Sequence, residues 1–209
     1  MNGDQIEKQE SYKGDLANGN LVIEKYCKDN FAYLKSQMKD LKDADPRADA
    51  NMSYDIRLNK EAETDSYVTY HCFSYVYLAG AHGSTFERSF NIVKATGKKL
   101  SQVVDTARVK DLQPILRKGV LSYLNQQSGN ESQTENEEQI TDAQLNDYLF
   151  IENGIIPLPS SSPYLAKDGV HFIYQQYEIG PYVMGLVSFT VPLEKIKPYL
   201  TGEALKLLK

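Results

Sequence analysis

"SYVTYHCFSYVYLAGAHGSTFERSFNIV" (Ser66–Val93) decides the fold class of this 209-residue chain. Its first half is β-branched and aromatic, and its side chains fall into two alternating sets. One is Tyr67, Thr69, His71, Phe73, Tyr75 and Tyr77; the other is Val68, Tyr70, Cys72, Ser74, Val76 and Leu78. Successive strand residues face opposite ways. Neither set is polar, so the pattern predicts a central strand with both faces covered. "AGAHGST" (Ala79–Thr85) supplies a turn, with Gly80 and Gly83 free to take positive φ. "TFERSFNIV" then alternates Phe86, Arg88, Phe90 and Ile92, and a tight turn at Gly97 closes the unit. A link this short joins antiparallel strands, not parallel ones.

The flanks extend the same reading. Upstream, Ile23, Cys27, Phe31, Leu34, Met38 and Leu41 recur at three- and four-residue steps and predict a helix, capped by Asn18 or Asn20 and ended by Pro46. "MSYDIRLN" (Met52–Asn59) alternates as a strand. Downstream, a helix is predicted over 109–125 with an apolar stripe of Val109, Leu112, Ile115, Leu116, Val120, Tyr123 and Leu124. Pro114, tolerable only in the first turn, moves the start of the helix proper to near Asp111. Residues 125–139 read as a polar loop. A short helix follows, then a strand near Phe150 and a turn at Asn153–Gly154. Asp168–Gly169 pivots a hairpin, and Pro181 with Gly180 and Gly185 bulges or breaks the strand pair. Val183–Val191 forms a last strand with Val183, Gly185, Val187, Phe189 and Val191 on one face, and one or two short helices end the chain. The fold class is α+β: antiparallel sheets with helices packed on one face, in two small subdomains. Residues 1–65 supply the N-terminal helix and first strand of subdomain one. The 66–97 hairpin is shared with it or completes it, and 98–209 form the C-terminal subdomain.

Bulk composition narrows the function classes. Net charge is -5 with dispersed lysines, a poor match to nucleic-acid binding, which rests on neutralising phosphates. No apolar run approaches the roughly 20 residues a spanning helix requires, and "MNGDQIEKQESYKGD" has no apolar signal region. Two cysteines, Cys27 and Cys72, are too few for a disulfide scaffold or a four-ligand zinc site. They read as buried small hydrophobes, with a single disulfide as the alternative. Tyrosine is plentiful, with 15 Tyr and no Trp. Tyr suits strands and also supplies amphipathic contact surface.

Familiar catalytic and nucleotide-binding motifs are absent. His71, His82 and His171 are isolated, so no metal site and no cofactor is expected. Four residues stand out as candidate contact residues: His82 between two turn glycines, and Tyr177, Glu178 and Tyr182 in "YEIGPYVMG" (Tyr177–Gly185). The plainer reading is that His82 anchors its turn and Glu178 accepts a backbone N–H.

Two stretches together carry a family resemblance. "AGAHGSTFERSFNIVKATGKKLSQVV" (Ala79–Val104) and "DGVHFIYQQYEIGPYVMGLVSFTVPLEKIKPYL" (Asp168–Leu200) resemble the signature hairpin and C-terminal signature of a family of extracytoplasmic domains of unknown function. That family includes the outer domain of lysozyme-sensing anti-sigma factors and the non-catalytic N-terminal region of a peptidoglycan deacetylase. It also includes stand-alone envelope lipoproteins of Bacteroides-type bacteria. The resemblance implies a two-part α+β fold and an extracytoplasmic setting, in the periplasm or at the cell surface. It implies membrane contact only through an N-terminal lipid anchor outside this sequence. It further implies a non-enzymatic binding or sensor module that recognises a lysozyme-like protein or a cell-wall glycan. Acidic residues in 130–138 would favour a cationic protein. Two other readings stand beside it: a cell-wall-directed hydrolase or transferase with Glu178 and His82 as acid and base, and a structural envelope protein.

Overall fold

A computed structural model describes residues 19–44, 52–78, 80–131 and 139–209. The caps and stop expected at Asn18 and Pro46, and most of the acidic stretch 130–138, lie outside the described residues. The chain divides into two compact units: residues up to 85 with Phe90–Leu100, and Phe86–Ser89 with Ser101–Lys209.

The first unit is a helix on an antiparallel sheet. Helix α1 (Gly19–Ala44) precedes strands β1 (Ser53–Glu63), β2 (Tyr67–Tyr77), β3 (Ser84–Val93) and β4 (Lys98–Lys99), ordered β1-β2-β3-β4. β2 is interior, as its apolar faces require, and none of its residues is exposed. β1 pairs with it from Ser53↔Tyr77 to Glu63↔Val68, with an irregularity between Lys60 and Ala62. Leu58 lies opposite Cys72, and cross-strand partners share a face. Ile23 and Tyr26 of α1 pack with Cys72, Phe90 and Ile92, and Cys27, Ile56, Val68 and Tyr70 close around them. Tyr26 meets Phe90 edge-on, with ring centroids 5.0 Å apart.

Two local expectations shift here. The buried seam of α1 runs Ile23, Tyr26, Asn30 and Leu34, while Phe31 and Leu41 are exposed. Phe31 instead sets its ring edge-on against Tyr54, at 5.1 Å. Gly83 does not take positive φ. A Cβ there would meet the Tyr75 ring, so the glycine serves space and not φ.

The second unit is built on the antiparallel sheet β5 (Tyr164–Leu165), β6 (Gly169–Tyr174) and β7 (Val187–Pro192). β6 and β7 pair from Gly169↔Pro192 to Tyr174↔Val187. Helix α2 (Gln113–Glu131) packs on β7, burying Leu116, Val120 and Leu124 at four-residue steps, with Leu112 buried just ahead of it. Gly119 presents no side chain where the Phe189 ring approaches, so helix and sheet close together there. Three short helices complete the unit: α3 (Leu145–Tyr148), α4 (Leu193–Ile196) and α5 (Gly202–Leu207). Thr201 caps α5 through the Ala204 N–H, and its own N–H donates to the Val103 carbonyl. Phe172, Tyr174, Ile156, Leu145, Val103 and Ile196 are fully buried.

Helix α2 differs from expectation at both ends. It starts at Gln113 after a 3-10 turn at Thr106–Arg108, which keeps Pro114 in the first turn, where no donor is lost. It runs on to Glu131, into the stretch read as loop. No strand forms near Phe150. Asn153 and Gly154 both have positive φ and make the predicted turn, but Pro157, Pro159 and Pro163 lack the N–H groups a ladder needs.

Side-chain amides do the work of strands in this irregular region. Gln113 donates to the Ile156 carbonyl at 2.9 Å and accepts from the Ile156 N–H at 2.9 Å. Asn125 does the same for Ile140 at 3.0 and 2.8 Å, and Gln175 for Glu87 at 2.9 and 3.0 Å. Arg117 reaches the Asp142 carboxylate and carbonyl, the Asn146 side chain and the Gly154 carbonyl. Its planar fork matches several acceptors at once.

Candidate functional site

The segment between β6 and β7 is held by several hydrogen bonds. Tyr174, at the end of β6, donates its hydroxyl to the Pro157 carbonyl at 2.8 Å, and burial pushes its ionisation far upward. The chain then turns at Gln175–Glu178, closed by the Glu178 N–H on the Gln175 carbonyl. Glu178 folds its carboxylate back over this turn. One oxygen accepts from the Gln175 N–H at 2.6 Å and the other from the Ser160 N–H at 2.5 Å. Burial raises the Glu178 pKa above the usual carboxylate range, against the lowering effect of the Gln175 and Ser160 donors. The Ile179 carbonyl accepts from the Phe150 N–H at 2.8 Å.

The strand expected over Val183–Val191 forms only from Val187 onward. Pro181 starts a 3-10 turn over Tyr182–Met184, and Gly185 follows with φ 66°, outside ordinary strand geometry. Val183 was expected on one face with Val187, Phe189 and Val191. It sits on this turn and is 85% exposed, whereas Val187 and Val191 are buried in β7. Tyr123 of α2 holds the turn by donating its hydroxyl to the Met184 carbonyl at 3.0 Å.

The result is a rigid loop with outward-facing apolar side chains. Tyr177 is 56% exposed and Phe150 63%, and Tyr148 is also exposed. Tyr182 is half-buried, its ring 5.7 Å from that of Tyr177. The Phe150–Ile179 bond and the approach of the Tyr148 carbonyl to Gly180 bring the 148–150 backbone beside the loop. Tyr177 also holds φ at 66°, a region that favours glycine over a bulky residue. The cost is on the order of 1 kcal/mol, carried by the surrounding hydrogen bonds.

Three of the four candidate residues, Tyr177, Glu178 and Tyr182, therefore belong to one loop, two as surface and Glu178 as its internal strut. His82 lies in the first unit. It is exposed, and its Nδ1 lies 2.9 Å from the Gly83 carbonyl. A carbonyl only accepts, so Nδ1 carries the proton. Both Glu178 and His82 thus engage backbone. Among the described residues no group of three or more His, Cys, Asp or Glu could hold a metal ion, and no helix is long and apolar enough to cross a membrane. Sequence reasoning missed Tyr148, Phe150 and Val183. Pro181 and Gly185 mark a break in the strand, but Val183 lies within that break and not on the core face where alternation places it.

The strut role gives a checkable result. Glu178→Gln keeps the shape but puts an amide nitrogen where a backbone N–H needs an acceptor. The expected loss is about 1–3 kcal/mol, read as a lower urea midpoint. The raised pKa adds a pH signature. The wild-type stability from this group is full below the unfolded carboxylate pKa, about 4.3. It declines as pH rises through the folded value. A protonated carboxyl still has two oxygens able to accept, so the decline belongs to ionisation and should be missing in the glutamine variant.

Comparison with known proteins agrees with the fold. Residues 103–194 match the model of a family described as "Protein of unknown function (DUF3298)". The match contains most of the second signature stretch and the last residues of the first. A crystal structure of a DUF3298 family member from Bacteroides fragilis is similar over 91% of this chain and 73% of its own. The identity is 19% and the TM-score 0.57. A DUF3298 family protein from Pseudomonas aeruginosa is similar over 73% of this chain and 64% of its own, at 15% identity and a TM-score of 0.53. No curated protein matches the chain.

Proposed function

We propose that this chain, a DUF3298-family protein through its residues 103–194, is a non-enzymatic binding module that contacts a protein ligand through the Tyr177–Val183 loop and the neighbouring Tyr148–Phe150 segment. One observation carries the reading. The loop is pinned by its own hydrogen bonds, yet leaves Tyr177, Val183 and Phe150 to solvent. Exposed apolar groups on a rigid support mark interaction surfaces, and preorganisation lowers the entropy cost of binding. Tyrosine and phenylalanine are enriched at protein interfaces. Exposed Asp147 and Glu152 flank the segment and, with the net charge of -5, favour a cationic partner. A lysozyme-like protein in an extracytoplasmic setting, as the family resemblance implies, has that chemistry.

The test is calorimetry against a panel of lysozymes and soluble peptidoglycan fragments, with wild type and Tyr177→Gly. Glycine relieves the positive φ, so stability should hold or rise by up to about 1 kcal/mol. Affinity for the protein ligand should fall at least about tenfold, or roughly 1.4 kcal/mol. Unchanged affinity in the variant, or binding confined to the glycan fragments, would contradict the proposal.

A further inference from the structure

Within the first unit, Cys27 of α1 and Cys72 of β2 come from distant parts of the sequence, are not joined in a disulfide, and pack in one cluster within hydrogen-bonding reach. Their surroundings differ. Cys72 is 2% exposed, between the helix and the sheet. Cys27 is half-buried and opens onto a cavity of about 420 Å³ lined by Ile23, Glu24, Lys28, Leu58 and Tyr70. At the rim Lys28 pairs with Glu24 at 2.5 Å. One thiol is thus open to a small molecule while its partner is shielded and adjacent. That division suits an attacking and a resolving cysteine.

We propose that Cys27 and Cys72 form a thiol–disulfide exchange site, in which Cys27 takes up a low-molecular-weight disulfide from the cavity and Cys72 resolves the adduct into an internal disulfide. In the first step Cys27 loses its proton, and its sulfur bonds to one sulfur of the incoming disulfide. The S–S bond of that disulfide breaks, and one half leaves as a thiolate that takes up a proton. In the second step the Cys72 sulfur attacks Cys27 Sγ, the mixed disulfide breaks, and the other half leaves with the Cys72 proton. The protein loses two electrons and two protons; the small disulfide gains both and becomes two thiols. The Cys72 S–H hydrogen bond supports the first step by lowering the Cys27 pKa to about 7, against the opposing effect of burial. The thiolate is the reactive form. Both residues pack in one cluster, and closure to a bond of about 2.05 Å would join helix to strand within it.

The test uses the full chain, reduced and then exposed to oxidised glutathione under native conditions, followed by intact mass and thiol titration. Wild type should lose both thiols and two hydrogens while staying monomeric. Cys72→Ser, and Cys72→Ala if the buried hydroxyl prevents folding, should stop at a one-to-one mixed disulfide on Cys27. Cys27→Ser should react at least about tenfold more slowly than wild type, because its remaining thiol is buried. Any of three results would overturn the proposal: Cys27→Ser reacting as fast as wild type, a wild-type adduct that persists unresolved, or oxidation that yields only disulfide-linked dimers.

Discussion

Replacing Gly169 with alanine is expected to destabilise the second unit on the order of 3 kcal/mol. Gly169 opens β6 opposite Pro192 with φ 153°, and a Cβ there would strike the Val191 carbonyl oxygen. The positive φ alone costs an L residue about 1–3 kcal/mol. The overlap with main chain adds a comparable amount, because no side-chain rotation relieves it and the β6–β7 ladder must shift. That sum is a large part of the 5–15 kcal/mol typical of whole domains. Urea unfolding should show a lower midpoint with an unchanged slope. Gly202→Ala is the control: it meets open space at the start of α5 and should stay within about 0.5 kcal/mol of wild type.

The second large effect is expected at Phe172. Its ring is fully buried and stacks on Phe189, with centroids 5.2 Å apart and planes 10° from parallel. Phe189 is in turn the ring that meets α2 at Gly119. Phe172→Ala removes one ring of that cross-strand stack and leaves a cavity beside the ring that meets the helix, at a cost of about 3–5 kcal/mol. Val183→Ser, on the same unit but 85% exposed, should change stability by less than about 0.5 kcal/mol. Equal effects at the two positions would mean that the Phe172 layer is not the core of the unit.

Local pattern carried much of this architecture. The two apolar faces of Tyr67–Leu78 announced an interior strand, and turns at Gly97 and Asp168–Gly169 stand where glycine and aspartate placed them. What was not legible depends on contacts distant in sequence. The exposure of Val183 follows from the Tyr123 bond to Met184 and from Gly185, not from the alternation in which Val183 sits. The buried seam of α1 includes Tyr26 and not Phe31, because Tyr26 meets Phe90 from another element. Cys27 and Cys72 each read as an ordinary small hydrophobe, and only helix-on-sheet packing makes them neighbours. Glu178 was legible as a backbone acceptor, but its second partner, Ser160, comes from a proline-rich stretch with no periodicity to announce the contact.

The three side-chain amides that bond Ile156, Ile140 and Glu87 also bear on self-association. A strand satisfied by another strand passes its own outer edge on, and an outer edge can recruit a further chain. An amide group ends the series. It satisfies one donor and one acceptor and has no continuing main chain to offer a newcomer. Gln113 and Asn125 therefore tie irregular segments into the second unit, and Gln175 engages Glu87 on strand β3, without enlarging the second unit's sheet beyond three strands. Within the second unit such terminators add no strand edge of their own, and so no new surface on which copies could polymerise edge to edge.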